Sequence, residues 1–190
     1  MSTEGARVRR PTKQELAAAV SKRLPDVIAP GLQVLFCGIN PGLYSGAVGH
    51  HFARPGNRFW KVLHRAGFTD RELSPFEDRA LLECGIGVTN LVNRTTAAAA
   101  ELDRVELRRG ARLLERKLER YRPAFLAFAG MGAYRVAFRR PRAPLGRQPE
   151  TFGESVVWLL PNPSGAQAAY QLDDLVRAFG ALRRAASRAA

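Results

Sequence analysis

Apolar residues follow two rhythms along the chain. In Val34-Leu35-Phe36-Cys37-Gly38-Ile39, Ala124-Phe125-Leu126-Ala127-Phe128-Ala129 and Val156-Val157-Trp158-Leu159-Leu160 nearly every position is apolar, as in strands buried on both faces. Gly87-Val88-Thr89-Asn90-Leu91 reads as a further strand. Between these runs the apolar spacing lengthens to three and four, which predicts helices over 12–24, 57–66, 75–83 and 103–120, and another beginning at Gly130; Asn57 is the cap of the second. In the 103–120 helix Val105, Leu107, Leu113, Leu114 and Leu118 form the apolar side, with arginines outside. Apolar strands alternating with helices predict an α/β fold, a three-layer α/β/α sandwich with a central four-stranded, mainly parallel sheet, because right-handed crossovers cover both sheet faces. One domain over 12–185 is expected, with flexible tails at 1–11 and 186–190, where residues are small, polar or basic.

Charge narrows the choice of partner. A net charge of +13, carried mostly by Arg, favours bidentate contact with phosphate and so points to nucleic acid, although an Arg- and Ala-rich composition also fits a GC-rich coding sequence. The segment from Arg135 to Arg147 carries five arginines and no acid, enough to engage several phosphates or simply to form a solvated basic loop. Cys37 and Cys84 lie in apolar surroundings with no partner at a metal-ligand spacing, which predicts buried thiols in a reducing cytoplasm. His50 and His51 adjoin one another without a carboxylate or thiol suitably placed, so no metal and no cofactor is expected. No run reaches the length of a membrane span and the basic start has no apolar signal core, so a soluble protein is expected.

In a parallel sheet, ligands bind at the carboxyl ends of the strands. The loops after the first and last strands are Gly38-Ile39-Asn40-Pro41-Gly42 and Pro161-Asn162-Pro163-Ser164-Gly165. Each sets an Asn before a Pro, which biases the Asn toward extended backbone, and neighbouring glycines let a flat ligand approach. Taken alone, Asn40 could be a turn residue and Phe52 a core residue.

The pair of loops resembles the signature motifs of the mismatch-specific uracil-DNA glycosylase (Mug) and thymine-DNA glycosylase families, within the uracil-DNA glycosylase superfamily. The stretch from Val34 to Leu43 is similar to the first motif nearly residue for residue, and so is the central block Phe52-Ala53-Arg54-Pro55-Gly56-Asn57-Arg58-Phe59-Trp60-Lys61; the resemblance covers about residues 26–182. It implies a monofunctional DNA glycosylase that hydrolyses the N-glycosidic bond of uracil opposite guanine, and of ethenocytosine or thymine as further substrates, flipped out of double-stranded DNA. It implies a monomer working in the bacterial cytoplasm, associated with the nucleoid through DNA.

The resemblance assigns Asn40 to orienting the attacking water, Phe52 to stacking on the flipped base, and the backbone of Ile39 and Phe52 to reading its edge. Ser45 would wall the pyrimidine 5-position, with Tyr44 beside it either reinforcing that wall or merely packed. Asn162, where uracil-specific relatives carry His, would bond the base or its water. Ser164 and Gly165 would meet phosphate and begin the wedge loop. There this chain departs from the pattern: where relatives continue with a bulky residue and an Arg that address the widowed guanine, it reads Ala166-Gln167-Ala168-Ala169-Tyr170, one residue longer, with Ala166 a poor wedge and either Gln167 or Tyr170 left to fill the gap. Asn90, where some relatives carry Lys, is either a second polar group of the pocket or a strand-end cap. No Lys lies in the signature loops, so no lyase step is expected. Two other readings stay open: a superfamily branch indifferent to the opposite base, acting on uracil or deaminated purines, and a catalytically weak module that binds mispaired DNA.

Overall fold

The computed structural model describes residues 10–165 and 169–189. Five strands form one sheet: β1 (Val34–Gly38), β2 (Ile86–Asn90), β3 (Phe125–Ala129), β4 (Gly146–Phe152) and β5 (Ser155–Leu160), in the order β2-β1-β3-β5-β4. The first four in that order run parallel, and β4 pairs antiparallel with β5 at the edge. Six α-helices surround it: α1 (Lys13–Ala18), α2 (Leu43–Val48), α3 (Phe59–Arg65), α4 (Arg104–Tyr121), α5 (Met131–Ala137) and α6 (Leu172–Ala189), with 3-10 turns at Pro75–Cys84 and Ala99–Glu101.

Alternation along the central strands builds two cores. Val34, Phe36, Phe125 and Ala127 pack with residues of α3 and α6 on one face, while Leu35, Cys37, Leu126 and Phe128 pack with α4 and α5 on the other. The three-layer sandwich is therefore present. Its sheet has five strands rather than four, because β4 was hidden in a polar, Arg-flanked sequence. An edge strand tolerates that composition: it has one neighbour, and Pro149 sits where the register shifts between Arg147 and Thr151.

Other expectations need correction. The helix expected over 12–24 is only α1, capped by Thr12 in a capping box with Glu15, after which the chain extends and Arg23 bridges Arg94. The stretch 186–189 is no tail, since α6 continues to Ala189 and buries Ala186 completely, while residue 190 lies outside the described residues. On α4 the buried stripe is Leu107, Gly110, Ala111, Leu114 and Leu118, whereas Val105 and Leu113 are 63% and 45% exposed. Gly110 is required there: a Cβ would stand 2.2 Å from the Leu91 carbonyl oxygen, so its absence lets α4 close on the segment after β2. Cys84 is exposed, while Cys37 is buried, and burial pushes its thiol well up, leaving it protonated and inert. Arg135 donates to the Ala143 carbonyl and Arg140 pairs with Glu150, so part of the basic segment is occupied internally. Among the described residues no helix is long and apolar enough to cross a membrane.

Candidate active site

The carboxyl ends of β1, β2 and β5 open into a cavity of about 410 Å³ whose lining includes Ile39, Asn40, Ser45, Phe52, Asn90, Asn162 and Ser164. The sequence-predicted site residues are thus brought together, apart from three. Gly165 lies beside the cavity against the Gly56 carbonyl, which a Cβ would meet at 2.5 Å. Ala166 and Gln167 lie outside the described residues. The lining also includes His51, Arg54, Asn57, Thr96 and the small wall 97–99, but no carboxylate and no lysine among the described residues.

Asn40 follows β1 directly. Its Nδ2 donates to Thr96 Oγ1 at 2.7 Å, to the Pro41 carbonyl at 3.1 Å and to the Arg94 carbonyl at 3.3 Å. Two of these acceptors are backbone carbonyls, so the amide orientation is not interchangeable: nitrogen must face them, and Oδ1 is left as an acceptor without a partner among the described residues. Thr96 gives its own proton to the Ala98 carbonyl at 2.8 Å, which fixes its oxygen as acceptor toward Asn40.

Asn90, at the end of β2, is fixed in the same sense by a different chain. His51 Nε2 lies 2.8 Å from the Pro25 carbonyl and must carry the proton, so Nδ1 of the neutral ring accepts from Asn90 Nδ2 at 3.3 Å. Burial lowers the His51 pKa and keeps the ring neutral, against the smaller opposing effect of the Pro25 hydrogen bond. Asn90 Oδ1 then faces Gly38, where a Cβ would intrude to 2.5 Å. The Pro25 segment is itself anchored, since Lys117 Nζ meets Asp26 Oδ2 at 2.5 Å and Thr89 Oγ1 at 2.9 Å, and Thr89 donates to Asp26 Oδ1 at 2.7 Å.

Asn162 has the opposite polarity. Its Oδ1 accepts from the Ser164 N–H at 2.9 Å, which leaves the NH₂ group as a donor without a partner among the described residues. The site therefore presents two amide oxygens and one amide nitrogen, each set by partners of known polarity.

Phe52 has a left-handed backbone (φ 51°) and stacks on Phe59 with ring centroids 4.0 Å apart, its ring also lining the cavity. Its backbone N–H and carbonyl take part in no hydrogen bond among the described residues, whereas the Ile39 carbonyl is already used by the Val92 N–H at 3.0 Å. Ser45 is buried and its Oγ accepts from the Ala53 N–H at 3.1 Å, tying α2 to the turn that carries Phe52.

The model of the Uracil DNA glycosylase superfamily matches residues 25–183. The chain belongs to the uracil DNA glycosylase superfamily. The solution NMR structure of a "putative Uracil DNA glycosylase" from Methanosarcina acetivorans is similar in fold, with a TM-score of 0.57 and 16% identity over 86% of this chain and 98% of that one. Membership supports uracil glycosylase chemistry on DNA in general terms. Sequence reasoning missed Thr96 and weighed His51 only as a metal ligand. His51 is instead a hydrogen-bond relay, and its neighbour His50 lies 3.2 Å from Asp78. Neither Thr96 nor the Pro25 carbonyl carries any motif or spacing signal, because Thr96 meets Asn40, and the Pro25 carbonyl meets His51, only through the fold.

Proposed function

We propose that the protein is a monofunctional DNA glycosylase of the Mug and thymine-DNA glycosylase kind, which hydrolyses the N-glycosidic bond of uracil flipped out of double-stranded DNA, with the G·U pair as its principal substrate. The observation that carries this reading is the opposed polarity of the three amides around one aromatic-floored cavity. The flipped base stacks on Phe52, whose far face rests on Phe59. Asn90 Oδ1 accepts the N3–H of uracil, and the unused N–H of Phe52 meets a base carbonyl. Asn162 NH₂ donates to the base oxygen on which negative charge gathers as the bond breaks, stabilising the leaving anion.

Asn40 Oδ1 holds the water that attacks C1′. An amide takes up no proton at neutral pH, so Asn40 contributes orientation while the bond breaks ahead of attack, and the reaction is slow. The bond that breaks joins C1′ to N1 of the base, the bond that forms joins C1′ to the water oxygen, and the water's proton leaves to solvent or to the departing uracil. With no lysine among the described residues that line the cavity, the product is an intact abasic strand.

Selectivity follows from the same atoms. Cytosine has no hydrogen at N3 and faces Asn90 Oδ1 lone pair to lone pair, at a cost of about 1–3 kcal/mol for the unsatisfied group, whereas ethenocytosine, bridged at N3, turns a C–H of its added ring toward Asn90 Oδ1. Thymine satisfies Asn90 but brings its methyl toward the buried Ser45 wall. Labelled duplexes carrying G·U, A·U, G·T or G·ethenocytosine, and single-stranded uracil, test this under single-turnover conditions. Uracil release fastest from G·U, slower thymine release, and no strand cleavage before alkali are expected. Tight binding without base release from any of them would favour the binding-module reading; equal rates for uracil in every context would place the protein in a branch indifferent to the opposite base.

A further inference from the structure

Arg58 stands immediately before α3 and is not among the residues lining the base cavity. All three nitrogens of its guanidinium donate to main-chain carbonyls of the segment that follows β5. Nη1 reaches the Tyr170 carbonyl at 2.6 Å, Nη2 the Ser164 carbonyl at 3.1 Å, and Nε the Pro163 carbonyl at 3.3 Å. The Arg58 backbone N–H donates to Pro163 as well, at 3.1 Å. Nearby, the Gly56 carbonyl presses on Gly165 so closely that no side chain fits there. Tyr170, half-buried, packs on the core cluster that contains Phe59.

One planar cation thus joins the outgoing end of the loop, at Pro163 and Ser164, to its returning end at Tyr170. Only a guanidinium has donors in a fixed fork able to satisfy three carbonyls at once; an ammonium carries the same charge without that geometry. These donors are engaged within the protein, which sets Arg58 apart from an arginine offered to a phosphate. We propose that Arg58 is a positioning residue that holds Pro163 and Ser164 at a fixed separation from Tyr170, so that the stretch directly after Asn162 meets the DNA duplex already in place. The effect on DNA rests on the glycosylase reading above; the holding of the loop does not.

The test compares the full chain with Arg58→Met and Arg58→Lys. Amide hydrogen exchange of the free proteins should show residues 164, 165 and 169–171 exchanging at least ~10-fold faster in both variants, with α4 and β3 unchanged. On a G·U duplex under single-turnover conditions, the half-saturating enzyme concentration should rise at least ~10-fold in both, while the maximal rate falls less than ~3-fold, the signature of a segment that must be brought into place at each encounter. Recovery of parental half-saturation by the Lys variant would overturn the proposal, because charge alone would then suffice. Unchanged exchange would overturn it too, as would a maximal rate that falls as much as half-saturation rises. Should Arg58→Met fail to fold, the Lys variant and its exchange pattern decide. A parent that releases no uracil would remove the proposed function while leaving the exchange result to judge Arg58.

Discussion

Replacing Thr96 by Val isolates the orientation of Asn40 from its presence. Thr96 Oγ1 is the nearest of the three acceptors around Asn40 Nδ2, at 2.7 Å against 3.1 and 3.3 Å, and the residue is 1% exposed, so water does not readily take its place. Valine keeps the shape and removes the acceptor. One net hydrogen bond is worth about 1 kcal/mol, and if that bond is what holds Oδ1 toward the water, the loss appears in the transition state as a fall in rate of about 5-fold. Stability should change little, because the Ala98 carbonyl that Thr96 served belongs to an exposed residue and can turn to solvent. Single-turnover uracil release at saturating enzyme is the assay, with Thr96→Ser as the companion that keeps the hydroxyl. Parental rates in Thr96→Val would refute the reasoning, and so would a Ser variant that falls as far as Val.

Three further outcomes are expected. Phe52→Ala should raise the half-saturating concentration for uracil-containing DNA by the equivalent of about 1–3 kcal/mol, the worth of one base stacked on an aromatic ring, and titration with an abasic-site duplex should show no such loss. Gly110→Ala would force a Cβ against the Leu91 carbonyl; a cost of about 1–3 kcal/mol for overpacking lowers the melting temperature by roughly 3–10 °C in a domain of this size, measurable by calorimetry. Below about pH 6.5 the unfolded chain protonates His51 while the buried ring declines the proton, so stability present above that pH is lost on acidification. Denaturant midpoints of the parent and His51→Gln, whose amide keeps both polarities without titrating, should converge as pH falls; parallel curves would exclude His51 as the cause.

The parts of the fold legible in the sequence were those that burial writes into consecutive positions. β1, β3 and β5 are apolar on both faces and could be read directly, whereas β4 obeys an edge strand's weaker demands and looks like a basic loop. Helical spacing identified α4 but not the width of its buried stripe, since Val105 and Leu113 share its periodicity and yet lie beyond the reach of the sheet. At the site, Asn40 and Asn162 were visible because an Asn before a Pro at a strand end is a local feature. What their amides offer was not visible. The polarity of Asn40 depends on Thr96, 56 residues away, and that of Asn90 on His51 and Pro25, 39 residues away and 26 further along the relay. Such partners come together only when the strands are aligned, so residue type alone leaves donor and acceptor ends undetermined.

The central claim, that an amide oxygen on Asn40 directs water at a sugar whose base has been drawn into this cavity, is tested most directly by single-turnover uracil release from a G·U duplex by the parent and by Asn40→Ala. Release by the parent is expected, with a maximal rate at least about 100-fold lower in the variant, roughly 2.7 kcal/mol of barrier, and duplex binding retained. A variant that releases uracil at the parental rate would contradict it.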